Sequence, residues 1–299
     1  MRYPFSCLIA AFLSAIATCA SAQETIPVSL SSEISGRVFR YTIQAGDTFT
    51  LIGSRFGVGP AVLARENGRH VGDRLVAGKT IEVDDRHVVP VSISYGIIIN
   101  VPQRMLFYFQ NDTVFGAYPI AVGRGVRRWQ TPLGKFKVIQ LREHPTWHVP
   151  LSIQQEMEAE GKDVIDEIEP GPDNPLGDYW IGLSLPNVGV HGTNNPVSVY
   201  SFRTHGCIRL HPDDAHALFN EARLGMEGEI VYVPLMMARL DDGRIFVESS
   251  KDVYRRHAGG IAELRKLAET NHFSDAVDWA RAAEVVGAFE GVAREVDRK

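Results

Sequence analysis

The chain has 299 residues, 44% hydrophobic and 22% charged, with 31 basic against 36 acidic side chains and a formal net charge of -5. That length supports two domains with buried cores, in a composition typical of globular protein. The mild acidity and the lack of a long basic run exclude a general nucleic-acid binder.

Arg2 opens the chain, an apolar stretch follows from Phe5 to Thr18, and Ala20-Ser21-Ala22 comes next. This is the order of a cleaved secretory signal peptide over 1–22, and the apolar run is short for a membrane span. A periplasmic protein without a span in its mature chain is expected. Cys7 and Cys19 leave with the leader, so Cys207 remains without an internal disulfide partner.

Residues 23–38 are polar and small and read as a linker. Over 39–84 the pattern is strand, helix, helix, strand. Tyr41-Thr42-Ile43 is strand-like, Gly46-Asp47-Thr48 is a turn with a helix N-cap at Asp47 or Thr48, and Phe49, Ile52 and Phe56 keep helical spacing up to Gly57. Pro60 starts a second helix, and Leu75 and Gly78 lead into a closing strand at Thr80–Val83. Asp84 to Pro90 reads as a charged linker.

From 90 to 235 short strands dominate: Tyr95–Val101, Arg104–Phe109, Val114–Val122, Gly134–Leu141, Trp180–Leu185, Val188–His191 and Glu229–Val233. Their spacing predicts a mostly-β, sandwich-like or barrel domain. Leu151–Glu169 interrupts it with a short acidic helix, where Ser152 and Gln155 suggest a capping box and the insertion suggests a lid or a solvated excursion. Pro212-Asp213-Asp214 opens another helix. The tail, 236–299, holds a further strand near Arg244–Glu248 and two helices. The stripe of the second helix runs through Ala276, Trp279, Ala283, Val286, Phe289, Ala293 and Val296.

The chemistry centres on Cys207 in Thr204-His205-Gly206-Cys207-Ile208-Arg209-Leu210. A free thiol has a pKa of ~8.5 and needs a base to attack a carbonyl at neutral pH. Gly206 permits a sharp turn whose N–H groups can hold an oxyanion. Two histidines compete as base, His205 and the upstream His191 that precedes Gly192, and spacing leaves both open. A metal cluster of His191, His205, Cys207 and His211 would need groups to converge across that turn, so no metal is expected.

Residues 39–84 resemble a LysM module on Tyr41-Thr42-Ile43, Gly46-Asp47-Thr48, Phe56-Gly57-Val58, Asn67 and Gly78-Lys79-Thr80-Ile81. The resemblance implies glycan binding along Gly46, Asp47, Thr48, Leu75 and Gly78. Residues from about 97 to 233 resemble the catalytic domain of the L,D-transpeptidases, the YkuD type. The matching segments are His191-Gly192-Thr193-Asn194, Thr204–Leu210, Thr131–Phe136 and Asn174–Gly177 before Trp180. The whole chain then reads as α+β, a small βααβ module followed by a mostly-β catalytic domain and a partly helical extension.

By that resemblance Cys207 is the nucleophile and His191 its base, with the Gly192 carbonyl orienting the imidazole. The N–H groups of His205, Gly206 and Cys207 form the oxyanion hole, Thr204 and Trp180 meet substrate, and Arg209 anchors a substrate carboxylate or fixes the turn. The implied reaction transfers a peptidoglycan tetrapeptide stem through a thioester, without cofactor, to a stem amine or to a protein such as an outer-membrane lipoprotein. A hydrolase of the same linkages and an inactive peptidoglycan-binding protein are the alternatives.

Overall fold

The computed structural model describes residues 29–90, 92–256 and 259–298. The expected leader, 1–22, lies outside the described residues, among which no helix is long and apolar enough to cross a membrane.

Two short strands, β1 (Ser29–Ser31) and β2 (Ile34–Ser35), occupy the stretch read as linker. After them come β3 (Val38–Thr42), α1 (Phe49–Phe56), α2 (Pro60–Glu66), β4 (Thr80–Asp84) and β5 (His87–Val88). β3 and β4 pair antiparallel with Tyr41 opposite Ile81, and Phe49, Ile52, Leu63 and Val83 bury together between them and the helices. Thr48 caps α1, its hydroxyl accepting the Leu51 N–H at 3.1 Å, and Gly57 closes that helix. β5 is no solvated linker: it pairs with β2, and both of its residues are fully buried.

The next domain opens with a meander, β6 (Tyr95–Asn100), β7 (Met105–Gln110) and β8 (Thr113–Gly123), then β9 (Gly134–Glu143). The ribbon β10 (Trp147–His148) and β11 (Glu167–Ile168) flanks α3 (Leu151–Ala159). β12 (Tyr179–Leu183), β13 (Gly189–His191), β14 (Phe202–Thr204), β15 (Ile208–Leu210), α4 (Pro212–Glu221) and β16 (Glu227–Val231) complete it.

The sheet runs β14-β8-β15-β13-β12-β9-β16-β6-β7, and the long β8 also pairs with β7. That second pairing closes the strands from β8 round to β7 into a barrel-like ring, with the short β14 as an outer strand on β8. Ile97, Ile99, Leu106, Tyr108, Val190 and Ile208 fill one buried side. Ile98, Met105, Phe107 and Phe109 are buried on the other, against Val89 and Tyr200. Burial on both faces explains why β6 and β7 are continuous apolar runs rather than alternating ones.

The tail adds β17 (Leu235–Arg239), β18 (Ile245–Ser249), α5 (Ile261–Thr270), α6 (Trp279–Ala288) and β19 (Arg294–Glu295). β1 pairs parallel with β17 in the sheet β1-β17-β18-β19. The second tail helix is shorter than its stripe predicts. Phe289 turns left-handed at φ 51, so Ala293 and Val296 are buried from an extended segment instead of a helix face.

Buried polar groups lock these units together. Glu248 of β18, fully buried, accepts the Val88 N–H at 2.6 Å and Gln103 Nε2 at 2.9 Å, and sits 3.0 Å from His87 Nδ1. The other His87 nitrogen reaches Gly57 O at 3.1 Å. Arg55 of α1 pairs with Asp214 and Asp213 of α4, at 3.1 and 3.3 Å. Glu248→Ala strands several buried polar groups at once and is expected to cost about 3–5 kcal/mol, measurable by urea denaturation.

Candidate active site

β13 and β15 run parallel, with Val190 opposite Ile208 and His191 opposite Arg209. Val190 and Ile208 are fully buried in the core. Alternation along a strand therefore turns Gly189, His191, Cys207 and Arg209 to the opposite face. His191, Cys207 and Arg209 line one cleft of about 1070 Å³. Trp129, Trp147 and Trp180 also line it, as do Leu151, Ser152 and Glu156 of α3. Five arginines (Arg124, Arg128, Arg142, Arg203 and Arg209) face it against one carboxylate, Glu156, so the cleft is strongly cationic.

His191 is 5% exposed, and its Nδ1 lies 2.7 Å from Gly192 O. A carbonyl only accepts, so Nδ1 carries the proton and Nε2 is left as a base. Burial, aided by the Arg209 charge, pushes the His191 pKa down to about 3 against the pull of the Gly192 and Leu176 carbonyls. Cys207 is half-buried, its Sγ 3.7 Å from Asn187 O. Burial raises its pKa, while a hydrogen bond from the Gly189 backbone and the Arg209 charge oppose the rise. Both shifts favour a neutral thiol and a neutral imidazole over a resting ion pair.

Gly189 is needed for packing: a Cβ there would meet the Trp180 ring at 2.3 Å. The Trp180 indole stacks on His191, with centroids 6.0 Å apart, and its Nε1 donates to Gln140 Oε1 at 3.1 Å. The turn before Cys207 depends on Gly206, whose φ of 116 disfavours any side chain. Thr204, expected against substrate, lines the cleft and also binds the turn. Its Oγ1 accepts the Gly206 N–H at 3.2 Å and donates to Cys207 O at 2.6 Å. The Gly206 N–H, one of the three donors expected at this turn, donates to Thr204 here.

His205 is drawn toward α3. Its Nδ1 lies 3.1 Å from Ser152 Oγ and its Nε2 3.1 Å from Glu156 Oε2, and its ring stacks on Trp129 at 4.5 Å. Arg124 also pairs with Glu156. The capping box expected from Ser152 and Gln155 does not form: Pro150 holds the N-cap position, so Ser152 lies within the helix and its hydroxyl is spent on His205. Arg209 donates from Nη1 to Ser198 Oγ at 2.9 Å, and its buried Nε has no partner among the described residues. His211 caps α4 and meets Arg55, so the four residues weighed as a metal cluster have separate partners.

In the N-terminal module, Gly46, Thr48 and Gly78 are exposed while Asp47 and Leu75 are half-buried. Their two loops are joined by Ile43, which donates to Lys79 O and accepts from Gly78 N, both at 2.9 Å. Asp47 Oδ2 accepts Gln44 N at 2.7 Å and the Tyr41 hydroxyl at 2.9 Å, so it braces the edge. Sequence reasoning missed Gly189, Gln140 and Glu156. Only the glycine at the start of a strand-like run was a signal for the first.

A family model described as the L,D-transpeptidase catalytic domain matches residues 94–233, and one described as the LysM domain matches 41–84. The chain is 28% identical over 224 residues to the probable L,D-transpeptidase ErfK/SrfK of Salmonella typhimurium, covering 72% of each. It is 30% identical over 174 residues to the putative L,D-transpeptidase YkuD of Bacillus subtilis, covering 58% of this chain and 87% of that one. Among solved structures, an Enterococcus faecium L,D-transpeptidase mutant is 18% identical with a TM-score of 0.35, over 48% of this chain and 51% of that one. The chain thus spans about half of the enterococcal protein. L,D-transpeptidase 3 of Mycobacterium tuberculosis is 13% identical with a TM-score of 0.35, over 70% and 96%.

Proposed function

The chain belongs to the L,D-transpeptidase family, and we propose that it transfers peptidoglycan stem peptides through a thioester on Cys207. The observation that carries this reading is that His191, at the end of β13, and Cys207, immediately before β15, line one cleft, with His191 Nδ1 tied to Gly192 O. His191 Nε2 takes the thiol proton as Sγ attacks the carbonyl carbon of the third residue of a tetrapeptide stem. The oxyanion is held by the Cys207 N–H, with the His205 N–H as second donor. Collapse breaks the C–N bond to the terminal D-alanine, whose amine leaves with the proton from His191. An acceptor amine then attacks the thioester, His191 takes the amine proton, and the thiol is regenerated. The Gly192 carbonyl does for His191 what a carboxylate does in other triads.

The cationic cleft fits a donor that carries several carboxylates, and Arg209 beside Cys207 is placed to meet one of them. His205 supports the site by holding α3. The LysM module supplies glycan affinity through the edge built by Gly46, Asp47, Thr48, Leu75 and Gly78, and so raises the local concentration of stems. Residues 1–22 act as a leader that delivers the chain to the periplasm.

Incubation of the full mature chain with a disaccharide-tetrapeptide is expected to give a Cys207 adduct equal to the donor less D-alanine, with D-alanine released, as read by mass spectrometry. A second stem as acceptor gives a link between third residues, a protein lysine gives attachment, and water gives the tripeptide. Glycan binding without any adduct on Cys207 would leave a binding protein instead of an enzyme.

A further inference from the structure

The turn that carries Cys207 is tied to a residue far along the chain. Tyr254, 6% exposed, lies beyond the residues 94–233 that match the catalytic-domain model. Its hydroxyl accepts the Thr131 N–H at 3.0 Å and donates to Gly123 O at 2.8 Å. Thr131, fully buried, accepts the Gly123 N–H at 2.9 Å on its Oγ1 and donates from the same oxygen to Gly206 O at 3.0 Å. Two hydroxyls therefore satisfy both backbone groups of Gly123 and anchor the Gly206 carbonyl. Tyr254 is itself held. Its N–H donates to Tyr232 Oη at 2.8 Å, the two rings stack at 5.3 Å, and the Tyr232 hydroxyl donates to Asp252 Oδ1 at 2.7 Å.

A trans peptide is planar, so the C=O of one residue and the N–H of the next point in opposite directions. Anchoring the Gly206 carbonyl on buried Thr131 therefore aims the Cys207 N–H away from Thr131. Gly206 has wide backbone freedom, and without the anchor this peptide could rotate. We infer that Tyr254 is a positioning residue for acyl transfer, acting through Thr131 to fix the Gly206–Cys207 peptide so that the Cys207 N–H meets the developing oxyanion. The inference rests on the thioester reading above and extends the working site into the C-terminal extension.

The test measures two rates on the full chain, for the wild type and for Tyr254→Phe, Thr131→Val and Thr131→Ser. One rate is acylation by a carbapenem, which forms an oxyanion. The other is alkylation of Cys207 by iodoacetamide, which forms none. Acylation is expected to fall about tenfold to a hundredfold in Tyr254→Phe and Thr131→Val while alkylation stays within about twofold, because only the aimed donor is lost. Thr131→Ser keeps the hydroxyl and is expected to hold both rates. Parallel loss of both rates, unchanged acylation, or a serine variant as slow as the valine one would overturn the assignment. A wild type that is alkylated but never acylated would count against the thioester reading instead. The Cys207 amide ¹⁵N resonance would then decide the positioning alone: it is expected to move in Tyr254→Phe and stay in place in Thr131→Ser, and any other pattern overturns the inference.

Discussion

Cys207→Ala is expected to remove transpeptidation altogether, a loss of at least about 10⁴-fold, because no other group at the site can form the thioester. The substitution should leave the fold intact. The Cys207 thiol has a 3.7 Å contact with Asn187 O and a hydrogen bond from the Gly189 backbone, and alanine retains the Cβ. An unchanged melting temperature and unchanged retention on a glycan column, together with absent D-alanine release, are the expected set. Measurable crosslinking by folded Cys207→Ala would remove the thiol from the mechanism. Cys207→Ser distinguishes nucleophilicity from geometry: the hydroxyl fits the same space but has a far higher pKa than a thiol, so turnover should remain undetectable.

His191→Gln is expected to slow acylation about 10²–10⁴-fold, the range for loss of a placed general base. His205→Ala should cost less, because His205 makes its contacts with α3 and acts on the cleft wall rather than on the thiol. The reverse order would exchange the two assignments. The pH dependence follows from the burial of His191. In the unfolded chain its pKa is the ordinary 6.5, and in the fold it is lowered to about 3. The neutral, basic form therefore persists through the window between these values, where an exposed histidine would be protonated. Acylation should not fall as the pH drops through 6.5 and should fall only toward 3. Stability runs the other way across the same window. The unfolded imidazole binds a proton that the folded one refuses, so stability is full above 6.5 and falls with pH below it. The slope approaches about 1.4 kcal/mol per pH unit for one proton. Urea denaturation at a series of pH values should show that slope in the wild type and a shallower one in His191→Gln. A titration of acylation centred near 6.5 in the wild type would mean that His191 is far less shielded than the structure has it.

The α3 insertion carries no buried side chain and meets the catalytic turn through Ser152, Glu156 and His205. Those polar links, more than apolar packing, hold this wall of the cleft in place. A wall held that way opens at little cost compared with one packed into the core.

Local rules read from the residues were enough for most of the elements. Asp47 or Thr48 as cap, Gly57 as helix end, Pro60 and Pro212 as helix starts, and the βααβ order of the N-terminal module all depend on neighbours within a few positions, which is the range that propensity and capping act over. The strands of the second domain were legible for the same reason. Contacts between distant segments were not. Ser29–Ser31 looks like linker because its partner, Met236–Ala238, lies some two hundred residues away, and strand pairing supplies the structure that its own side chains do not announce. The proposal of His191 over His205 as base rests on the β13–β15 register, which sets one ring on the face of Cys207 while α3 takes both nitrogens of the other. Tyr254 could not be linked to the catalytic turn from spacing, since hydrogen bonds through Thr131 carry the connection. Which chemical groups the chain owns follows from residue identity. Their orientation, their burial and the shift of the imidazole toward its neutral form come from packing, because desolvation and aim are properties of surroundings assembled from the whole chain.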